Sequence, residues 1–480
     1  MVLNSPFFVF LFLPAALALY FVTPKQWKNL ALFAASLFFY AWGDSLSLAV
    51  LLGSTAVNYG FGMLIERSSG NRTGRLGLFA GICANLGLLL YYKYLKFAVQ
   101  NLDAVNLLDA GRFDFSGWHL PLGISFFTFG AVSYLMDVYR KKTAAEVNFL
   151  SFALYMALFP KILAGPIVRY ADISGELHAR GVDLESLGRG ASRFVFGLGK
   201  KVLIANPAAM VADQIFSAKG DLGMPVAWLG ILCYTVQIYF DFSGYSDMAI
   251  GLGRMFGFTF AENFNYPYIS QSIREFWRRW HISLSSWFRD YLYIPLGGSH
   301  ASSARTYGNL IMVFLLCGLW HGANWTFIVW GLYHGFFLTV ERAFLGRTLQ
   351  KAATPLRHVY TILVIMTGWV FFRADNLPHA LRFLQAMFSF SWGEFEYYSM
   401  NFFSRELMLT LAMAVIGSMP VPGFLRTLRA RIEPVLRPQF AKIFAANCTL
   451  GSLAFFILVL VASLMQLAAS TYSPFIYARF

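Results

Sequence analysis

Charge is scarce in this sequence: only 13% of its 480 residues are Asp, Glu, Lys or Arg. A soluble domain carries roughly 25%, so the deficit excludes a large water-soluble globular enzyme. Cysteine is scarcer still. Cys83, Cys233, Cys317 and Cys448 lie in apolar segments without metal-ligand spacing, which argues against a disulfide framework and against a Cys/His zinc site. There is no Gly-rich phosphate loop and no Gly-x-Ser-x-Gly elbow. No internal repeat or low-complexity linker divides the chain, which reads as one domain over 1–480. The first apolar run, Phe7 to Tyr20, lacks a basic flank and a small-residue cleavage site, and is expected to be a retained span and not a signal peptide.

What the chain has in abundance is apolar length. Hydrophobic residues make up 58%, in runs near 6–22, 29–43, 46–65, 77–97, 118–136, 148–168, 190–216, 226–252, 310–340, 355–373, 402–421 and 444–468. A helix crosses a bilayer with about 20 residues. These runs are too long for barrel strands, and an open sheet edge cannot face lipid, so the expectation is an all-α polytopic membrane protein. The net charge of +14 does not indicate nucleic acid, because Lys and Arg fall in alternate loops. Lys25 and Lys28, Arg67 to Arg75, Arg140 to Lys142, Arg342 to Arg357 and Arg426 to Arg437 alternate with loops carrying Asp44, Asp103, Asp109, Asp114 and Asp375. Basic loops face the cytoplasm. The N-terminus and the tail 470–480 are therefore expected outside.

Two regions break the hairpin pattern, 160–201 and 262–309. In the second, Ile273, Phe276, Trp277, Trp280, Leu284, Trp287 and Phe288 recur at three- and four-residue spacing among arginines. This predicts an amphipathic helix at the inner leaflet. Its guanidinium groups suit either anionic lipid, the common use of such helices, or a bound phosphate.

The residues able to do chemistry are polar groups in apolar surroundings. His321 stands in Gly318-Leu319-Trp320-His321-Gly322-Ala323-Asn324-Trp325, with Asn324 on the same helix face. An ionisable group at membrane depth is a functional candidate, and a neutral imidazole suits proton abstraction from a hydroxyl. A His that only hydrogen-bonds a neighbouring helix is the plain alternative. His334 lies thirteen residues on, about 220° away on an unbroken helix, and is a poor partner for His321 unless Gly322 or Gly331 interrupts it. Asp241, Tyr245 and Asp247 fall in the run 226–252, to line a tunnel or to pair with Arg as glue. The tail keeps aromatic character to Phe480 and includes Tyr477, so it docks on the protein or anchors at the outer interface.

Four segments carry a family resemblance: Tyr239-Phe240-Asp241-Phe242-Ser243-Gly244-Tyr245-Ser246-Asp247-Met248, Glu262-Asn263-Phe264-Asn265-Tyr266-Pro267-Tyr268, Glu275-Phe276-Trp277-Arg278-Arg279-Trp280-His281 and Trp320-His321-Gly322-Ala323-Asn324-Trp325. With Thr367 to Arg373 they resemble the membrane-bound O-acyltransferase (MBOAT) family, in its bacterial polysaccharide-acetylating branch. The resemblance implies about eleven membrane helices with re-entrant and interfacial helices around a central tunnel, the core lying in 118–373. It implies His321 as catalytic residue and His281 near the same tunnel, with Asp241, Tyr245, Asp247 and Asn324 lining or positioning. It implies acetyl-CoA or another cytoplasmic acyl thioester as donor substrate, with no bound cofactor and no metal. Arg274, Arg278, Arg279, Lys200 and Lys201 are then the candidates to hold the donor's phosphates. Implied too are the bacterial inner membrane, a periplasmic SGNH-type acetyltransferase partner, the polysaccharide export machinery, and Tyr477 as acyl carrier. Alginate is the expected acceptor, with peptidoglycan or cellulose as alternatives. From a different class stands a transporter or flippase of lipid-linked sugar, which requires paired halves with broken helices.

Overall fold

The computed structural model describes residues 1–218, 220–299, 302–393 and 402–469. Every regular element among them is helical, and the one β-bridge joins Leu222 to Gly393. Among the described residues, six helices are long and apolar enough to cross a membrane: Leu48–Arg67, Arg72–Ala104, Leu184–Phe216, Met224–Met255, Thr354–Arg373 and Pro438–Ala469. A seventh is reached if Arg405–Gly417 and Val421–Val435, bent by 59°, count as one span, and Phe8–Val22 and Ile124–Tyr139 are shorter apolar helices. The expected eleven spans are therefore not all present as long helices, and the cause lies in the breaks. The run 148–168 is split at Leu158 into Phe149–Ala157 and Phe159–Ile162, with Pro160 in the first turn of the second piece, where proline is tolerated. The run 310–340 is split at Gly322–Asn324 into Ser303–His321 and Trp325–Val340.

The centre of the molecule is Met224–Met255, 32 residues of which nearly all are buried. It packs on Leu184–Phe216 along a seam of glycines. A Cβ at Gly197 would lie 2.6 Å from the Gly244 carbonyl oxygen, and one at Gly190 would lie 2.7 Å from that of Gly251. Small residues let backbones close this far, which is how helices associate where lipid removes the hydrophobic drive. The closure delivers charge partners across the seam: Lys201 to Asp241 at 2.7 Å, both wholly buried, and Lys200 and Arg193 to Asp247 at 2.6 Å each.

Helix ends meet in two sets. At one end, Arg140 donates to the Asp290 carbonyl, Arg169 pairs with Asp290, Ala145 N–H donates to Glu66, and Glu341 accepts from the backbone of Ile273 and Arg274. At the other, Leu122 N–H donates to Asp44, Trp325 to Asn101, Asn324 to the Asp375 carbonyl and Arg373 to Asp213. The basic stretches that begin at Arg67, Arg140 and Arg342 adjoin the first set.

The segment 273–288 is not the surface helix that its periodicity suggests. It forms two short helices, Ile273–Arg279 and Ile282–Phe288, with a break at Trp280–His281. Its aromatic residues are buried in the bundle. Trp277 meets Phe314, Trp330 and His334, Trp280 meets Trp369, and Trp287 stacks on Phe129 at 3.8 Å. The hairpin enters from the basic end and places His281 at its tip.

Candidate functional site

His321 is the last residue of Ser303–His321. The chain then turns back through Gly322, Ala323 and Asn324. Asn324 caps the next helix by accepting from Thr326 N–H at 3.0 Å, and its amide donates to the Asp375 carbonyl at 3.0 Å. The two helices of this hairpin touch where Gly318 faces Phe327 and Gly331 faces Phe314; a Cβ at either glycine would lie 2.3 Å from a carbonyl oxygen. The imidazole of His321 is buried among the rings of Trp320, Trp330 and Phe372, at centroid distances of 4.9, 5.1 and 5.0 Å.

Lys93 and Tyr94 hold the helix end beneath it. They sit in a π-helical turn, Leu90–Tyr94, within the long helix Arg72–Ala104. The Lys93 ammonium donates to the Trp320 carbonyl and, at 3.3 Å, to the Ser125 hydroxyl; the Tyr94 hydroxyl donates to the Leu319 carbonyl. The last carbonyls of a helix have no partner in the helix itself, and these two side chains supply one. π-Bulges of this kind concentrate at functional sites. The sequence signal was a lysine within the run 77–97, but nothing in the pattern says what it meets.

His281 arrives from the other end. It is buried, adopts left-handed backbone angles (φ 42°, ψ 56°), and its ring meets Phe242 at 4.6 Å and Trp320 at 6.1 Å. Its Nδ1 lies 3.1 Å from Oδ1 of Asn263. Trp320 thus contacts both imidazoles, one carried from each end of the bundle.

His334 is brought into the same aromatic cluster. The break at Gly322–Asn324 folds its helix back beside the one that carries His321, so the separation expected on an unbroken helix does not apply. Trp330 is a common neighbour, 5.1 Å from each imidazole, and Trp277 lies 5.1 Å from His334.

The remaining sequence candidates are distributed as follows. Asp241 and Asp247 lie on the glycine seam, paired with Lys201 and with Lys200 and Arg193. Both lysines are thus held by carboxylates, which offset the charge a phosphate would use. Tyr245 is buried against the backbone of Ala164. Arg279 is taken up by Glu275 at 2.9 Å and the Asn265 carbonyl at 3.0 Å. Arg274 and Arg278 are exposed. Arg274 borders a cavity of about 250 Å³ at the basic end, lined also by Gln271, Glu341, Arg342, Gln350 and Arg357. Tyr477 lies outside the described residues.

Two buried imidazoles, His281 and His321, thus share one indole, Trp320, inside an apolar bundle. The model of the membrane-bound O-acyltransferase family matches residues 91–377, which contain both histidines, and the chain belongs to that family. It is an O-acyltransferase, and the transporter reading falls with that assignment. The chain is 44% identical to the probable alginate O-acetylase AlgI of Azotobacter vinelandii and 43% identical to that of Pseudomonas putida, over 100% of each chain in both cases. It is 39% identical to the peptidoglycan O-acetyltransferase of Helicobacter pylori over 80% of this chain and 79% of that one.

Proposed function

We propose that this protein takes acetyl from acetyl-CoA on the cytoplasmic side of the bacterial inner membrane and delivers it outward for O-acetylation of an exported polysaccharide of the alginate type. The observation that carries the reading is the delivery of His281 and His321 from opposite ends to one indole, Trp320. A donor entering from the basic end and an acceptor from the other reach the same imidazoles.

The donor end is supported by the cavity of about 250 Å³ beside Arg274, Arg342 and Arg357. Its two carboxylates are engaged elsewhere, Glu275 with Arg279 and Glu341 with two backbone N–H groups. Three guanidinium groups, Arg274, Arg342 and Arg357, outnumber the two carboxylates that line the mouth, and a guanidinium fork suits the phosphates of coenzyme A. The acceptor class is supported by full-length likeness to alginate O-acetylases. Peptidoglycan is the second reading, favoured by the Helicobacter pylori relative. On the outer side the acetyl passes to a periplasmic SGNH-type partner of the export machinery, with Tyr477 as the acyl carrier and both termini outside.

The test is purified protein in nanodiscs given radiolabelled acetyl-CoA and no acceptor, comparing wild type, His321→Ala and Tyr477→Phe. Label held by wild type and lost from both variants supports the relay. Label kept by Tyr477→Phe removes Tyr477 from it. Thioester hydrolysis that depends on His321 without label supports direct transfer. Wild type that neither binds label nor consumes thioester, even with partner and polymer added, overturns the donor reading.

A further inference from the structure

A second stretch of chain enters the bundle from the basic end, beside the one that carries His281. It begins at Ala145, which donates to Glu66, and returns at Arg169, which pairs with Asp290. In between it runs inward through Phe149–Ala157, turns at Leu158, makes the one-turn helix Phe159–Ile162 and comes back. The two excursions are tied together, because the Ile167 N–H donates to the Ser283 hydroxyl at 3.0 Å, two residues beyond His281.

Lys161 sits on the one-turn helix with only 7% of its surface exposed. Its ammonium lies over the Tyr155 ring at 4.2 Å, and the Tyr155 hydroxyl anchors that ring 3.2 and 3.1 Å from the carbonyl oxygens of Gly130 and Val168. Among the described residues no carboxylate and no hydrogen-bond acceptor meets Nζ. Lys200 and Lys201, by contrast, are met by carboxylates, and Lys93 by the Trp320 carbonyl. A buried charge without a partner is costly, and an ionisable group kept at membrane depth marks function. Lys161 borders a cavity of about 10 Å³ whose other lining side chains are apolar, roughly the room one water needs. One wall is Phe126, whose ring packs on Trp320 at 5.6 Å, and another is Ile167, bound to Ser283. Through these walls the cavity adjoins the indole that His281 and His321 share.

We infer that Lys161 is a catalytic residue of the acyl transfer, whose ammonium faces the carbonyl oxygen of the donor's acyl group and holds the negative charge that gathers there. This rests on the thioester donor and hydroxyl acceptor of the preceding section. When the acceptor oxygen bonds to the carbonyl carbon, the π pair of the C=O bond moves onto the carbonyl oxygen, and an N–H of Lys161 donates to it. The pair then re-forms the C=O bond, the C–S bond breaks, and the leaving thiolate takes up the proton that the hydroxyl lost. Lys161 ends unchanged, and nothing is oxidised or reduced. A fixed donor in a dry site acts strongly on such an oxygen, since no water has to reorganise around it.

Two measurements on the full-length protein in nanodiscs test this. The first compares turnover and unfolding midpoint in wild type and Lys161→Met. The expected fall in kcat is about 100–1000-fold, the cost of removing one oxyanion donor, with KM for acetyl-CoA within about threefold of wild type. The midpoint is expected to stay level or rise, because an apolar side chain replaces an unpaired charge. A folded Lys161→Met at full rate overturns the inference. A lost rate together with a lowered midpoint also overturns it, since that pair of changes belongs to a lysine that only supports the fold. The second measurement is the infrared band of the ¹³C carbonyl in a ketone analogue of acetyl-CoA, which has a methylene in place of sulfur and cannot be cleaved. Bound to wild type, the band is expected at lower frequency than in water; bound to Lys161→Met, it is expected to move back up. One band position in both proteins overturns the contact. A wild type that binds no analogue and consumes no thioester overturns the donor reading, and this inference with it.

Discussion

At the scale of single residues, the imidazole of His321 depends on two side chains that bind the carbonyls just before it. Replacing Lys93 by Met removes the donor to the Trp320 carbonyl and leaves that oxygen unpaired in an apolar interior. An unsatisfied buried group costs about 1–3 kcal/mol, and loss of an orienting contact typically costs about 10–100-fold in rate. Lys93→Met is therefore expected to fold with a lower midpoint and to turn over more slowly, read by thermal unfolding in detergent and by thioester consumption. His321→Ala is expected to abolish turnover, and the space it leaves among the rings of Trp320, Trp330 and Phe372 to lower the midpoint as well, as large-to-small changes in a packed interior do. His321 was visible in the sequence because an imidazole is conspicuous in the run 310–340. Lys93, Tyr94 and the hydrogen bonds of Asn263 were not visible as site features. Their role depends on which atoms meet across more than 200 residues for Lys93 with Trp320, and across 18 for Asn263 with His281.

At the scale of elements, the apolar runs foretold where the six long helices lie, with ends off by up to seven residues, because a 20-residue apolar stretch has few other structures open to it in lipid. The segment 273–288 shows where periodicity stops informing. A three- and four-residue apolar rhythm describes one buried face, and a helix under a membrane and a hairpin inside one bury that face equally well. What separates them here is the turn at His281, a φ of +42° that no composition rule announces. The glycine seam gives this scale its prediction. A leucine at Gly197 or Gly244 would push a Cβ to 2.6 or 2.7 Å from the facing carbonyl oxygen. Overpacking costs about 1–3 kcal/mol, and here it also separates Lys201 from Asp241, leaving buried charges unpaired. Both variants are expected to lower the unfolding midpoint sharply. Gly188→Leu, on the same helix with nothing within 4 Å of its Cβ position, is the control and is expected to unfold near wild type.

At the scale of the whole molecule, the architecture separates two ends and joins them at Trp320. The basic end offers the cavity beside Arg274, Arg342 and Arg357, and two occupants compete for it in principle, the phosphates of a soluble thioester and an anionic lipid headgroup. They differ in what a charge reversal does. If the donor's phosphates sit there, Arg274→Glu and Arg342→Glu weaken ground-state and transition-state binding alike. KM for acetyl-CoA then rises by about tenfold or more for each, kcat stays near wild type, and high salt reduces the difference because exposed charges are screened. If a lipid headgroup sits there, KM does not move, and the variants differ from wild type only in their response to anionic lipid in the nanodisc. The histidine variants must behave in the opposite sense, losing kcat with KM retained, since their imidazoles lie inside the bundle, away from the cavity lining. If variants at the cavity and variants of the histidines shifted the same kinetic constant, the proposed transfer of acetyl from one end to the other would fail.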